Sequence, residues 1–123
     1  LVVGVGTVVI DPPEGNMLQY LASLKRLLKL ERLSALFPAH GPVIASARTR
    51  IEEYISHRAM REERILSAVR SGAGTMPSIV PLAYAEVSPG LYGLAERSTA
   101  AHLEKLVEES RVIRLNGDVY QAV

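Results

Sequence analysis

Apolar and polar positions follow two rhythms along this chain. Met17, Tyr20, Leu21, Leu24 and Leu28 recur at spacings of three and four, while Lys25, Arg26 and Lys29 fall elsewhere. That is the period of an amphipathic, core-facing helix. Asn16 stands at the N-cap position, so a helix is predicted from Met17 to about Leu30. Before it, "TVVI" is β-branched and close to glycines, which predicts a buried strand and its approach loop over Val2 to Ile10, stopped by "DPPEGN". After it, "LSALF" runs into Pro38 and reads as a second buried strand. The first third is therefore strand, helix, strand and loop, a βαβ piece whose two strands cannot complete an α/β layer.

The remainder has helical rhythm and ends in a β pattern. Ala47 to Arg70 contains no Pro or Gly. Ile51, Ile55, Leu66 and Val69 share one face there, with Tyr54, Ala59 and Ile65 at its margins. Arg58 and Glu62, four residues apart on that face, read as a partly exposed ion pair. "SGAGTMP" ends the helix, a second is predicted over Ser78 to Glu86, and "SPG" breaks the chain again. A third is predicted from Ser98 as N-cap to Ser110, with Leu103, Leu106 and Val107 inward and His102, Lys105 and Glu109 outward. "RVIRLNGDVYQAV" places two β-rich runs around Asn116-Gly117, a strong hairpin signal. Three helices followed by a hairpin describe a winged helix. The fold class is accordingly α+β, with one domain over residues 1–48 and a winged-helix-like domain over 49–123.

Composition narrows the classes. The 123 residues are 48% hydrophobic and 22% charged, and no apolar run approaches the roughly 20 residues of a membrane span. "LVVGVGTVVI" has no basic leader and no small-residue cleavage site, so it reads as strand and turn rather than signal peptide. A first residue of leucine makes the chain read as a fragment. The absence of cysteine excludes disulfides, thiolate zinc sites and a cysteine nucleophile; it fits a reducing compartment, and a cytoplasmic location is expected. The net charge is +1. Residues 1–48 hold five Lys/Arg against three Asp/Glu and residues 49–123 hold nine against ten. A polyanion site in the second part must therefore be a local patch.

Three histidines are the candidate chemistry. "LFPAHGPVI" sets His40 in a tight turn after a predicted strand, where α/β proteins keep ligands, and a neutral imidazole suits zinc. A surface-loop histidine is the other reading. His57 lies four residues from both Glu53 and Arg61 with no second histidine beside it, as a surface helical histidine would. His102 is either exposed helix filler or, with Arg97, Lys105 and Arg114, a nucleic-acid contact from a recognition helix. Glu96, Glu104, Glu108 and Glu109 dilute that basic patch. "GVGT" lacks the remaining features of a phosphate loop. No Ser-His-acid set is recognisable, and no catalytic residue is assigned.

Four stretches in order, "GVGTVVIDPPEGNMLQYLASLKRLL", "LFPAHGPVI", "YISHRAMREERIL" and "STAAHLEKLVEESRVI", resemble the C-terminal part of metallo-β-lactamase-fold hydrolases. The branch they are most similar to is the beta-lactamase-like protein 2 type, which carries a winged-helix-like domain after its hydrolase domain. The resemblance implies an αββα hydrolase fold ending near residue 48. It implies chemistry by two zinc ions that activate a bridging water toward a phosphodiester, ester or thioester, single-stranded RNA included. His40 matches the last histidine ligand of that family's site, in a "PGHGP"-like loop where Ala39 replaces a glycine. The HxHxDH motif and the bridging aspartate do not occur in the chain, so the chain alone is expected to be inactive and to bind zinc weakly. Implied partners are the upstream part of the parent chain, single-stranded RNA, and a second copy pairing through the apolar sides of "TVVI", "LSALF" and the Met17 helix. The competing reading is a winged-helix nucleic-acid-binding or dimerisation module without catalysis. The charge of residues 49–123 disfavours tight duplex binding.

Overall fold

The computed structural model describes residues 9–30 and 46–123. The two predicted strands, apart from Val9 and Ile10, and the His40 loop lie outside the described residues. Val9 and Ile10 carry no regular structure. The described elements are α1 (Met17–Leu28), α2 (Ala47–Arg70), α3 (Met76–Ala83), a 3-10 turn (Pro89–Leu91), α4 (Tyr92–Glu108), β1 (Val112–Arg114) and β2 (Tyr120–Ala122). They are mostly helical, with one small antiparallel hairpin. The chain forms two compact units, one with its described residues within 18–59 and one comprising 9–17 and 60–123.

In the first unit, Tyr20 and Leu24 of α1 and Ala47, Ile51 and Tyr54 of α2 are buried, as the three-and-four spacing requires. Lys25, Arg26 and Lys29 are exposed. The last carbonyls of a helix have no partner within it. Here Arg48 supplies one, donating to Leu28 O at 2.6 Å and Leu30 O at 3.0 Å. The Arg58 guanidinium lies 5.3 Å from the Tyr20 ring centroid. Burial pushes the Tyr20 phenol up, against the opposing charge and hydrogen bond of Arg58.

The second unit has one core, built from Ile65, Leu66 and Val69 of α2, Ile79 and Val80 of α3, Leu103 and Leu106 of α4, and Val112 of β1. α2 ends at Arg70, and Gly72, two residues on with a φ of 106°, closes it in the left-handed region that glycine tolerates. Gly74 then passes so close to β2 that an added Cβ would stand 2.9 Å from Tyr120 O, and Tyr120 N donates to Gly74 O at 2.7 Å. β1 and β2 pair in the register Val112↔Ala122, Ile113↔Gln121 and Arg114↔Tyr120. The hairpin occurs where Asn116-Gly117 predicts it, but with a five-residue loop, 115–119, in which Gly117 has φ 68°.

Two helix starts differ from the sequence reading, and the helix expected to reach Glu86 ends at Ala83. α3 begins at Met76 rather than Ser78, with Thr75 as N-cap and Pro77 inside the first turn, where its missing N–H costs nothing. Ser78 Oγ accepts from Thr75 N at 3.0 Å, so the residue read as a helix start is the third of its first turn. α4 begins at Tyr92, six residues before the predicted Ser98 cap. Ser and Thr need not cap a helix; inside one they can bond back to the preceding turn. Thr99, fully buried, does this, its Oγ1 donating to Ala95 O at 2.7 Å.

Candidate functional site: the charged network of the second unit

The buried stripe of α4 is Ala95, Thr99, His102, Leu103 and Leu106. His102 completes the helical period, so it faces the core with no exposure, not the solvent as its polarity predicts. This corrects the outward placement of His102, and with its ring covered it presents no surface to a polyanion. A buried imidazole requires a polar partner. Glu62 of α2 provides it, Oε2 standing 3.1 Å from His102 Nδ1. Lys105, one turn on, donates to Glu62 Oε1 at 2.6 Å and to Glu109 Oε1 at 2.9 Å. Arg111 adds a longer contact to Glu62 Oε1 at 3.9 Å.

The expected partly exposed Arg58–Glu62 pair is corrected at the same point, because Arg58 and Glu62 are only 4% and 8% exposed. Burial pushes the Glu62 carboxyl up, but hydrogen bonds from His102 and Lys105, with their charge, outweigh it and hold the group below the usual range. Burial likewise pushes the Lys105 ammonium down, and its bonds to Glu62 and Glu109 carry it above its ordinary value. An ionised carboxylate orienting an imidazole is a familiar catalytic arrangement. This one is closed, with no surface of His102 open to a substrate, and it acts as a clamp between α2 and α4.

A second cluster lies at the end of α3. Arg61 is buried, donates to Ala83 O and to Glu86 Oε1 (2.6 Å), and stacks on Tyr84 at 4.0 Å from the ring centroid. Arg64 reaches the other oxygen of Glu86 at 3.0 Å. The Arg61 hydrogen bond holds the exposed Glu86 carboxyl below the usual range. Nothing in the spacing of Arg61 to Ala83 or Glu86 marks this cap in sequence.

The structure separates the predicted basic patch. Arg97 is exposed and lies 3.8 Å from Asp11. Arg114 donates to Asp118 Oδ1 at 2.6 Å and Gly117 O at 3.1 Å. Lys105 is committed to Glu62 and Glu109. Beside them is a groove of about 420 Å³ with Met76, Val107 and Tyr120 in its wall and Glu104, Glu108 and Asp118 at its polar side. Asn16 bridges Glu104 and Glu108 there at 2.9 and 3.3 Å. His57 is exposed on α2, as expected. The metal candidate His40 lies outside the described residues. Among the described residues no group of three or more His, Cys, Asp or Glu is placed to hold a metal ion. They do not fit a zinc centre by themselves, so no catalytic step through zinc is derived from them. No described helix is long and apolar enough to cross a membrane.

Known proteins resemble the chain along most of its length. Residues 75–120 match the family model of the beta-lactamase associated winged helix domain. A beta-lactamase-like protein 2 homolog of Drosophila melanogaster is 31% identical over 114 residues, covering 90% of the chain and 37% of the relative. A homolog of the same name from Caenorhabditis elegans is 32% identical over 69 residues, covering 56% and 22%. Among solved structures, a beta-lactamase domain protein from Burkholderia ambifaria superimposes with a TM-score of 0.76 at 27% identity, over 94% of the chain and 37% of its own. A metallo-beta-lactamase family protein from Thermus thermophilus gives 0.70 at 29% identity, over 87% and 33%. The chain thus spans between 22% and 37% of the length of these relatives. On these likenesses it is a C-terminal part of the beta-lactamase-like protein 2 type within the metallo-β-lactamase family, carrying the winged helix domain associated with that family.

Proposed function

We propose that the chain is the closing part of a metal-dependent hydrolase, that His40 is its last metal ligand, and that the winged-helix unit supports the hydrolase rather than reading nucleic acid. In this reading residues 1–48 finish an αββα domain and residues 49–123 form the appended three-helix and hairpin domain. The intact site holds two zinc ions, which when bound supply an activated water for attack on a phosphodiester, ester or thioester, single-stranded RNA among them. The observation that carries the reading is continuity. A match over 90% of the chain necessarily spans position 40 as well as the winged helix, so both belong to one kind of protein. A cytoplasmic setting fits a sequence with no cysteine.

The support role rests on the charged network. The Lys and Arg of α4 and the hairpin face carboxylates within their own unit, which leaves little charge for phosphate neutralisation. In a full-length protein carrying this sequence, His40→Ala is expected to lower zinc content and the hydrolysis of thioester and RNA substrates about tenfold or more, with the melting of the winged helix unchanged. Zinc content equal to the parent's, measured by elemental analysis, would overturn the ligand assignment. Hydrolysis by the purified 123-residue chain would overturn the expectation that it is inactive alone. The Met17 helix offers no apolar face to a second copy, because Tyr20 and Leu24 are buried within the chain. A second copy pairing through "TVVI" and "LSALF" is still proposed, and a monodisperse monomer in sedimentation would contradict it.

A further inference from the structure

The groove beside α4 combines an apolar wall with an unbalanced rim. Met76, Val107 and Tyr120 stand in the wall, and three carboxylates, Glu104, Glu108 and Asp118, face one guanidinium, Arg114. Arg114 is spent on Asp118, and Asn16 gives Glu104 and Glu108 only a neutral amide. Among the described residues no ion pair joins either glutamate to a cation. Such a groove fits a segment with an apolar side chain and cations beside it. The chain carries one. Lys25 and Arg26 of α1, with Lys29 and Leu30 just past its end, are exposed, and none of the three cations pairs with a carboxylate among the described residues. Cations near a helix C-terminus can simply offset its dipole. Here Leu28 O and Leu30 O already take both arms of Arg48, so these side chains are not needed as a cap.

We propose that the occupant of the groove is the end of α1 from a second copy of this chain. Leu30, 52% exposed, packs against Met76, Val107 and Tyr120, while Lys25 and Lys29 meet Glu104 and Glu108. The spacings match. Lys29 N donates to Arg26 O at 3.2 Å, so the turn continues past Leu28. Lys25 and Lys29 are then neighbours four residues apart, about 6 Å from each other. Glu104 and Glu108 hold the same relation on α4. One exposed ion pair contributes little. A two-fold pair makes the contact twice, and covering Leu30 adds apolar burial. The inference depends neither on the hydrolase reading nor on pairing through "TVVI" and "LSALF", because it uses other residues and salt weakens it, whereas salt does not weaken an apolar contact.

The test is sedimentation of the full chain across a sodium chloride series. Self-association that weakens with salt is expected. Lys25→Glu/Arg26→Glu/Lys29→Glu should raise its dissociation constant about tenfold or more, and Glu104→Lys/Glu108→Lys likewise, because like charges then face each other. An equal mixture of the two variants should regain association, since opposite charges meet again across copies. Carbodiimide coupling of an equal mixture of unlabelled and isotope-labelled chain should give Lys29–Glu108 cross-links of mixed isotope. An unchanged circular-dichroism melt shows that a variant is folded; where the groove variant is not, the α1 variant and the cross-links carry the test. Four results would overturn the proposal: no self-association that salt weakens, no recovery in the mixture of folded variants, cross-links of a single isotope only, or a monomer whose groove binds a hexalysine peptide instead. A salt-independent dimer would overturn this contact and leave the apolar pairing standing, so the two fail separately.

Discussion

Residues 18–30 and 46–59 carry six Lys/Arg against two Glu, whereas 9–17 and 60–123 carry seven against ten Asp/Glu. In the second set all seven cations, Arg61, Arg64, Arg70, Arg97, Lys105, Arg111 and Arg114, lie within 4 Å of a carboxylate. In the first, Arg50 pairs with Glu53, Arg48 closes a helix end, Arg58 lies over Tyr20, and Lys25 and Arg26 of α1, with Lys29 just past its end, stand at the surface. The same residue types therefore do different work. Arg61 and Lys105, largely buried against Glu86 and Glu62, fasten helices together; the other five of the second set are exposed, and exposed cations, paired or not, contribute little to stability.

The difference should appear first in Glu62→Ala. It leaves the buried His102 without its carboxylate partner and Lys105 with Glu109 alone, and a loss of about 3 kcal/mol is expected from denaturant unfolding. Glu62→Gln, which keeps the shape, should lose less. Arg61→Ala is expected next, at about 2 kcal/mol, since Ala83 O loses its donor and Tyr84 its stacked cation. Arg48→Ala performs the corresponding deletion in the first unit. There the carbonyls turn to water instead, so about 0.5 kcal/mol is expected. Lys29→Ala should change stability by less than about 0.5 kcal/mol in either direction. If Arg48→Ala proves as costly as Arg61→Ala, the contrast between buried and exposed caps fails.

Acid separates the units in another way. Glu62 is held below its unfolded value, so its contribution is fully present above the ordinary carboxylate range and is lost as pH falls through the lower folded value. Lys105 is raised, so its contribution is present below the ordinary lysine range and is lost as pH rises through the higher folded value. A melt followed across pH should therefore show a broad plateau near neutrality with an acid limb. Glu62→Gln should flatten that limb, and Lys29→Ala should not.

Much of the fold is legible in the chain. The α1 stripe, the uninterrupted run of α2 and the Asn116-Gly117 turn locate their elements because each depends on neighbours a few residues away. α4 shows where that stops. Ser98 looks like a cap and His102 looks like surface, yet the helix starts at Tyr92, which carries Ser98 past its first turn, and the face that His102 shares with Thr99, Leu103 and Leu106 packs inward. The buried stripe at 95, 99, 102, 103 and 106 is visible once His102 is allowed to be apolar in effect. The partner that permits this, Glu62, lies 40 residues away. No local signal ties them.

The sequence alone determined the helical rhythm, the hairpin, the absence of thiol chemistry and the balance of charge. Each is a sum over residues or a consequence of the backbone's short-range geometry. Tertiary structure alone decided which charges are spent. Dividing the sequence after residue 48 shows only a mild contrast, whereas the compact units, with 9–17 gathered beside 60–123, sharpen it. Electrostatic worth depends on burial and distance to the opposite charge, and these are set by packing between segments remote in the chain.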